Sequence, residues 1–241
     1  MFFKNFPNTI YKFGSNEPFV KFQNFGKAAI LSEESVGNTT IYEKYTIMQG
    51  ERPDTLSYKL YGTTQYYWTF FLCNNSLKES GWPLGSNELY HTALENYPHR
   101  VVTTTTNIGT TNFKKGQIVT GSQSGSTGPV VEVNLNLGTI VIKTNDNFNV
   151  GETLTVGTGG DIQTCIITGE STQYDSVHHY ENAELEYADI NPHNPDLGGL
   201  TAKTHIQRMI DFNDNLSNII VINPKIVQRV ASQFTSKLKE T

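Results

Sequence analysis

Histidines and carboxylates gather in one polar stretch of the chain, where they could in principle bind a metal ion or transfer protons. The stretch begins with His178 and His179, and the other candidate ligands are Glu181, Glu184, Asp189, His193 and Asp196. Imidazole and carboxylate groups are common ligands of zinc and related metals. The spacing matches no compact ligand motif, however, and adjacent histidines in a polar segment are usually solvated. We therefore predict no metal site and no cofactor.

The sequence evidence for other catalytic arrangements is equally weak. The carboxylate pairs Glu33 with Glu34 and Glu184 with Glu186 could supply the acid and base of a glycosidase, but nothing in the sequence places them in an apolar pocket. No glycine-rich phosphate loop stands between a strand and a helix, and no G-x-S-x-G nucleophile elbow occurs. We predict that the protein is not an enzyme.

Composition narrows the possible partners. The 241 residues carry a formal net charge of −5 and no concentrated patch of lysine and arginine, so we predict no nucleic-acid binding. No apolar run approaches the ~18 residues of a membrane span, and the first residues lack the apolar core of a signal peptide. Cys73 and Cys165 are expected to be buried and reduced.

The elements that would position any functional group fall into five segments with an α+β composition. Residues 1–42 form an aromatic-rich N-terminal arm without helical or strand periodicity, which packs either on a partner or on its own domain. Residues 43–102 predict a strand, a turn and two helices. We expect the first helix at 55–61, with Asp54 as its N-cap and Gly62 at its end.

The second helix of this segment is expected to begin after Thr63 or Thr64 and to stop at Asn74 and Asn75. Its aromatic side chains recur at i, i+3 and i+4 spacing, which is typical of a helix face that packs in a core.

Residues 103–170 change character, because threonine, glycine and valine dominate and helix formers are scarce. We predict an inserted all-β domain. A faint repeat relates residues 112–120 to residues 147–155, which would be explained by two related hairpins that close into a small barrel.

The end of the chain returns to regular structure after residues 171–204, which read as an extended polar linker. Within the C-terminal segment 205–241, we expect a helix at 206–216, a buried strand at 219–222 and a second helix that begins at Asn223 and Pro224. Its apolar stripe must dock on its own domain or on a partner; the stripe residues are Ile226, Val230, Phe234 and Leu238.

The segment 45–75 resembles the LysM module, which has a strand, a G-[DE]-x turn, a helix that ends in L-Y-G, and a W-x-x-[FIL]-x-x-x-N helix. A family of baseplate wedge subunits of T-even-like contractile-tailed phages is similar over more of the chain, and its members carry a LysM-like domain. The matching residues are Gly50, Pro53, Leu56, Leu60, Tyr61, Gly62, Tyr67, Trp68, Leu72, Asn74, Asn75, Trp82, Pro83, Leu84, Glu88 and Leu89. The chain departs from the wedge pattern by its β insert and by Ser217 in place of a basic residue.

The resemblance implies a structural subunit that joins wedge proteins of the same and the adjacent wedge in a six-fold baseplate. It also implies the sheath-initiating baseplate protein as a partner, a place in the virion tail and assembly in the host cytoplasm. The LysM sugar site looks compromised, because Gly50 is followed by Glu51, Arg52 and Pro53 and no closing strand is evident after Asn75. The alternatives are a peptidoglycan-binding LysM module and a carbohydrate-binding virion decoration.

Overall fold

The computed structural model describes residues 6–24, 41–110, 113–193 and 195–240. The chain divides into two compact units, of which the first comprises residues 1–86 with 213–241 and the second comprises residues 87–212. Both helices and strands occur, which confirms the α+β class.

The first unit combines a pair of strands with short helices. Strand β3 (Tyr42–Thr46) is followed by helices α1 (Pro53–Tyr61), α2 (Trp68–Cys73) and α3 (Asn75–Ser80). The closing strand, β14 (Asn218–Ile222), comes from the C-terminal part of the chain and pairs antiparallel with β3. No closing strand is evident in the sequence soon after Asn75 because this strand lies far downstream, where the sequence predicts a buried strand at 219–222.

Local capping explains the boundaries of α1. The Thr55 hydroxyl accepts a hydrogen bond from the Arg52 backbone N–H at 3.1 Å, so Arg52 is the N-cap residue and the predicted cap, Asp54, lies inside the first turn. Gly62 ends the helix in the left-handed conformation, with φ of 70°, as the sequence predicts. Thr63 then caps the short 3-10 helix Thr64–Tyr66, and α2 follows it.

The core of the first unit joins α1 and α2 to β14. Leu56 and Phe70 have no exposed surface, and they belong to one buried cluster with Ile47, Leu77, Leu216, Ile219 and Val221. The C-terminal helix α6 (Val227–Glu240) adds Val227, which packs with Tyr42 and Ile222 in a second cluster. The N-terminal residues that the structure describes form an antiparallel hairpin of β1 (Asn8–Lys12) and β2 (Phe19–Gln23).

Helix α4 (Ser86–Asn96) enters the second unit at residue 87 and is followed by a seven-stranded sheet. The strands are β4 (Arg100–Thr103), β5 (Ile118–Gly121), β6 (Thr127–Asn134), β7 (Thr139–Ile142), β8 (Thr153–Val156), β9 (Gln163–Ile166) and β10 (Gly169–Thr172). Their order is β10-β4-β7-β6-β5-β8-β9. Because β9 and β10 stand at opposite ends of that order yet are separated only by Ile167 and Thr168, the sheet curls strongly. Its description as a small barrel stays a prediction.

The faint repeat has equivalent structural positions in this sheet. Phe113 and Phe148 are both buried, and Gly116 and Gly151 both adopt positive φ values of 90° and 91°. Strand β5 of the first copy pairs directly with β8 of the second copy. The repeated residues therefore supply two related parts of one core.

Residues 171–204, which the sequence predicts to be a linker, contain regular structure. Strand β11 (Val177–Glu181) lies between β12 (Tyr187–Ala188) and β13 (Thr201–Thr204) in a three-stranded antiparallel sheet. Helix α5 (His205–Ser217) follows β13 directly.

Candidate functional site

The turn between β3 and α1 contains Glu51, which lies between the motif residues Gly50 and Pro53. The Glu51 carboxylate accepts hydrogen bonds from the Tyr45 hydroxyl at 3.0 and 3.1 Å, from the Met48 backbone N–H at 3.1 Å and from Lys59 Nζ at 3.1 Å. Burial alone would raise the pKa of this carboxyl, but the hydrogen bonds from Met48, Lys59 and Tyr45 lower it below its ordinary value. The carboxylate therefore fixes the turn to the strand and to the helix.

Trp82 connects the W-P-L motif to the same turn. Its indole N–H donates a 2.6 Å hydrogen bond to the Glu51 backbone carbonyl. The ring lies 5.9 Å from Phe70 and 5.8 Å from Phe71, centroid to centroid. The tryptophan thus joins the turn to the aromatic face of α2.

Asn74 holds the closing strand. Its side-chain amide donates to the backbone carbonyls of Phe70 at 2.7 Å and Ile220 at 2.8 Å, and its carbonyl oxygen accepts from the Ile220 N–H at 2.8 Å. The Tyr61 hydroxyl donates to the Ile222 carbonyl at 3.1 Å. Two motif residues therefore satisfy backbone groups of β14.

Most of the remaining motif residues lie in a turn, at the ends of helices or in the core. Gly50 adopts φ of 73° in the turn, Pro53 is the first residue of α1, and Gly62 ends that helix. Leu60 and Tyr67 pack against the core, Leu72 is half-buried, and Asn75 is exposed at the start of α3. The structure therefore brings the motif together as a scaffold.

A small cavity of about 150 Å³ lies beside Gly50, Pro83 and Leu84. Asn213 closes one side, because its side chain accepts from the Leu84 N–H at 2.7 Å and donates to the Leu84 carbonyl at 3.1 Å. None of the described residues that line the cavity is aromatic.

The predicted docking stripe of the last helix lies against its own unit. Phe234 and Leu238 are buried, and Ile226 and Val230 are half-buried against Tyr42 and its neighbours. Trp68, which is half-buried, packs on Phe234 with ring centroids 5.3 Å apart. Of the two alternatives left open by the sequence, the structure shows packing on the same unit.

The hairpin β1–β2 presents the most conspicuous exposed apolar surface among the described residues of the first unit. Tyr11, Phe13, Phe19 and Phe22 are all exposed, and Phe13 keeps 68% of its surface accessible. Phe13 contacts Tyr11 and Phe22 edge to face, at 5.1 and 5.6 Å between ring centroids. Exposed aromatic groups of this kind mark interaction surfaces.

Of the residues weighed for metal binding, His178 contacts His179, and His179 contacts Glu181. Within the described ranges, no group of three histidine, cysteine or acidic side chains has a geometry that could hold a metal ion. Glu184 and Glu186 are exposed, and Glu33 and Glu34 lie outside the described residues. No helix in the described part of the chain is long and apolar enough to span a membrane.

The two cysteines have no disulfide partner. Burial raises the pKa of the Cys73 thiol to about 12 and that of the Cys165 thiol to about 11. Both are therefore protonated near neutral pH, which is unlike the thiolate of a reactive cysteine.

Part of the chain is similar to a known protein family. Residues 1–109 match the family described as "Base plate wedge protein 53", which confirms the resemblance to phage baseplate wedge proteins. The matched residues include the β1–β2 hairpin with its exposed aromatic side chains, which we call the aromatic hairpin. They also include Glu51 and Asn74, and they end before β5. No curated protein matches the chain.

Proposed function

From the match of residues 1–109 to the baseplate wedge family, we propose that this virion protein joins neighbouring wedge proteins during assembly of a phage tail baseplate. Its partners are wedge proteins of the same and the adjacent wedge in a six-fold ring, and the sheath-initiating baseplate protein. Assembly takes place in the host cytoplasm, before the protein is carried out in the tail. Its role requires contact surfaces and no active site.

The exposed hairpin is the observation that carries this proposal. The strand register places Thr9 opposite Phe22 and Tyr11 opposite Val20, so these four side chains share one face of the hairpin. Together with Phe13 they form a surface that we call the aromatic face. An isolated two-stranded hairpin is only marginally stable in water, so contact with a partner would stabilise it.

The opposite face of the hairpin is less apolar. It carries Ile10, Lys12, Phe19 and Lys21, and the Lys12 ammonium lies 5.6 Å from the centre of the Phe19 ring. Lysine side chains disfavour burial in an apolar interface. We therefore assign docking to the aromatic face.

The first unit supplies the rigid base for this arm. Hydrogen bonds fix its helices to the two strands. They are made by the carboxylate of Glu51, the indole of Trp82 and the side-chain amide of Asn74. We interpret the arrangement as a LysM-like scaffold retained for its shape. The small cavity without aromatic lining favours this interpretation over peptidoglycan binding.

Co-expression with the other wedge proteins of the same phage tests the proposal. We expect the tagged chain to copurify with at least one wedge protein as a stable complex in size-exclusion chromatography. A parallel pull-down on insoluble peptidoglycan should leave the chain in the supernatant. Retention on peptidoglycan without any stable co-complex would instead support a wall-binding module.

A further inference from the structure

Four side chains of the second unit form a continuous hydrogen-bonded series between α5 and β11. Arg208 Nη1 lies 3.1 Å from His178 Nε2, and the Nδ1 atoms of His178 and His179 are 2.8 Å apart. His179 Nε2 lies 3.0 Å from the Glu181 carboxylate. The helix and the strand are therefore linked through two imidazole rings.

The chemistry of the end groups determines where the protons lie. A guanidinium can only donate, so His178 Nε2 must accept from Arg208 and the His178 proton must be on Nδ1. That proton is donated to His179 Nδ1, which leaves the His179 proton on Nε2 to be donated to Glu181. Both rings are neutral, and they are opposite tautomers.

Neither imidazole ring can bind an additional proton while all three hydrogen bonds of the series are kept. On His178 Nε2, it would set two N–H donors and two positive charges against each other at the 3.1 Å separation from Arg208. On His179 Nδ1, it would set two N–H groups against each other at 2.8 Å. Uptake of a proton by either ring therefore breaks at least one hydrogen bond.

A third histidine lies beside the series. The His205 ring is 5.0 Å from the His178 ring and 4.3 Å from the Tyr97 ring, between centroids. Its Nδ1 atom is buried without a hydrogen-bond partner among the described residues. His205 is also the first residue of α5, where the positive end of the helix dipole disfavours a cation.

Backbone hydrogen bonds anchor the same junction. The N–H groups of His205 and Ile206 donate to the carbonyls of Ser176 at 3.2 Å and Tyr174 at 2.9 Å. These two amides report directly on whether the start of α5 remains attached to the segment before β11.

Other charged and titratable side chains near the four-residue series form ion pairs or ring contacts. Lys203 of β13 lies 2.6 Å from Asp211 of α5 and 3.9 Å from Glu181. Tyr187 of β12 stacks on His179 at 4.0 Å. A cavity of about 190 Å³, lined in part by Glu132, Tyr97, His178 and His205, gives solvent a route to the rings.

We propose that Arg208, His178, His179 and Glu181, with the adjacent His205, form a proton-sensitive latch that fastens the start of α5 to β11. At neutral pH the latch is closed by neutral histidines. In acid, protonation separates Arg208 from His178 and loosens the attachment of the start of α5 to β11 and to the segment before it.

The direction of the pH effect follows from linkage. Burial is the main cause that lowers the pKa of His205 to about 4, and the positive charge of Arg208, with that of His178 once it is protonated, lowers it further. Burial likewise lowers the pKa of His178. A histidine whose pKa is lower in the folded state than in the unfolded state contributes its full stability above the unfolded-state pKa, near 6.5. The latch therefore loses stability as the pH falls from about 6.5 towards about 4.

The tautomers provide a first test on the unmodified chain. Nuclear magnetic resonance of the imidazole nitrogens and carbons at pH 7 should show the proton of His178 on Nδ1 and that of His179 on Nε2. Observation of both rings in the same tautomer, or of either ring charged at pH 7, would overturn the proposal.

Hydrogen exchange tests the opening itself. Relative to the Val130 amide of the large sheet, protection of the His205 and Ile206 amides, corrected for intrinsic exchange, should fall at least about tenfold between pH 7 and pH 4.5. His178→Gln can still accept from Arg208 and donate to His179 but cannot titrate, so its loss should be smaller. His91→Gln, on the exposed surface of α4, is the matched control and should behave like the parent chain.

The latch would be ruled out if protection of the His205 and Ile206 amides fell equally in His178→Gln and in the parent chain. It would also be ruled out if that protection did not fall relative to the Val130 amide. If His178→Gln does not fold, the tautomer measurement still decides the proposal.

Discussion

The side chain of Asn74 pairs with the backbone of Ile220 as another strand would, through two hydrogen bonds of 2.8 Å across a separation of 146 residues. It thereby satisfies an N–H and a C=O on the edge of β14 that does not pair with β3. The N-terminal part of the first unit is thus completed by a strand from the end of the chain.

Asn74→Ala should lower the free energy of unfolding of the first unit by about 2–4 kcal/mol, because it removes three hydrogen bonds and leaves half-buried backbone groups unpaired. Denaturant titration followed by tryptophan fluorescence measures this, since Trp68 and Trp82 both lie in the first unit. Asn75→Ala, at an exposed neighbouring position, should change the value by less than about 0.5 kcal/mol. Equal effects of the two substitutions would contradict the role of Asn74.

The two units should be separable by deletion. Asn213 is hydrogen-bonded to Leu84, so a short glycine-serine linker can replace residues 87–212 without stretching the first unit. We expect this shortened chain to give a cooperative thermal transition and a dispersed NMR spectrum. Removal of residues 218–241 instead deletes β14 and α6, and should abolish that transition. A shortened chain that is unfolded would show that the proposed unit boundaries are wrong.

Glu51 should make the first unit sensitive to acid. Its pKa is lowered in the folded state, so its contribution is present above the ordinary value near 4.5 and is lost as the pH falls through the folded-state pKa. Glu51→Gln should therefore reduce stability at pH 7 and flatten its dependence on pH below about 4.5. Denaturant titrations between pH 7 and pH 3 check this, with Glu79→Gln on exposed α3 as the control. A parent-like pH profile for Glu51→Gln would exclude the carboxylate from this role.

Glu152 is a carboxylate of the second unit that accepts hydrogen bonds from backbone N–H groups. It is fully buried, and its carboxylate accepts from the N–H groups of Gln123, Ser124 and Asn149 at 2.8, 2.9 and 2.6 Å. Glu152→Gln replaces an acceptor by an amide donor and should destabilise the second unit by about 2–4 kcal/mol. Thermal unfolding followed by far-ultraviolet circular dichroism measures it. The same substitution at exposed Glu184 should have little effect, and comparable losses at both positions would argue against a buried turn-stabilising carboxylate.

Local signals in the sequence identified much of the first unit. Gly62 marks the end of α1 because a left-handed C-terminal residue favours glycine, and Pro53 occupies the first helical position. The prediction of Asp54 as the N-cap is wrong, because Arg52 is the N-cap residue and its backbone N–H donates to the Thr55 hydroxyl. Short-range chemistry therefore located the helix to within two residues.

Pairings over long distances were not predictable from these signals. Nothing local to Asn218–Ile222 indicates that it pairs with β3, and the polarity of β11 conceals a strand in which His179 is the buried residue. The carboxylate of Glu152 gave no signal either, because its three backbone donors come from two separate turns. Trp68 is half-buried, and it packs on Phe234 of α6, a contact with a helix far along the chain that no local signal predicts.

The central claim, that the aromatic hairpin docks this subunit in the baseplate, is tested most directly by the affinity of hairpin variants for the copurifying wedge protein. Phe13→Ser with Phe22→Ser should weaken binding by at least about 30-fold, as loss of an interface hot spot would, with an unchanged melting temperature of the free chain. Phe19→Ser, on the lysine-bearing face, should bind within about threefold of the parent chain. Unchanged affinity of the Phe13 and Phe22 double variant, in a chain that still folds, would contradict the account.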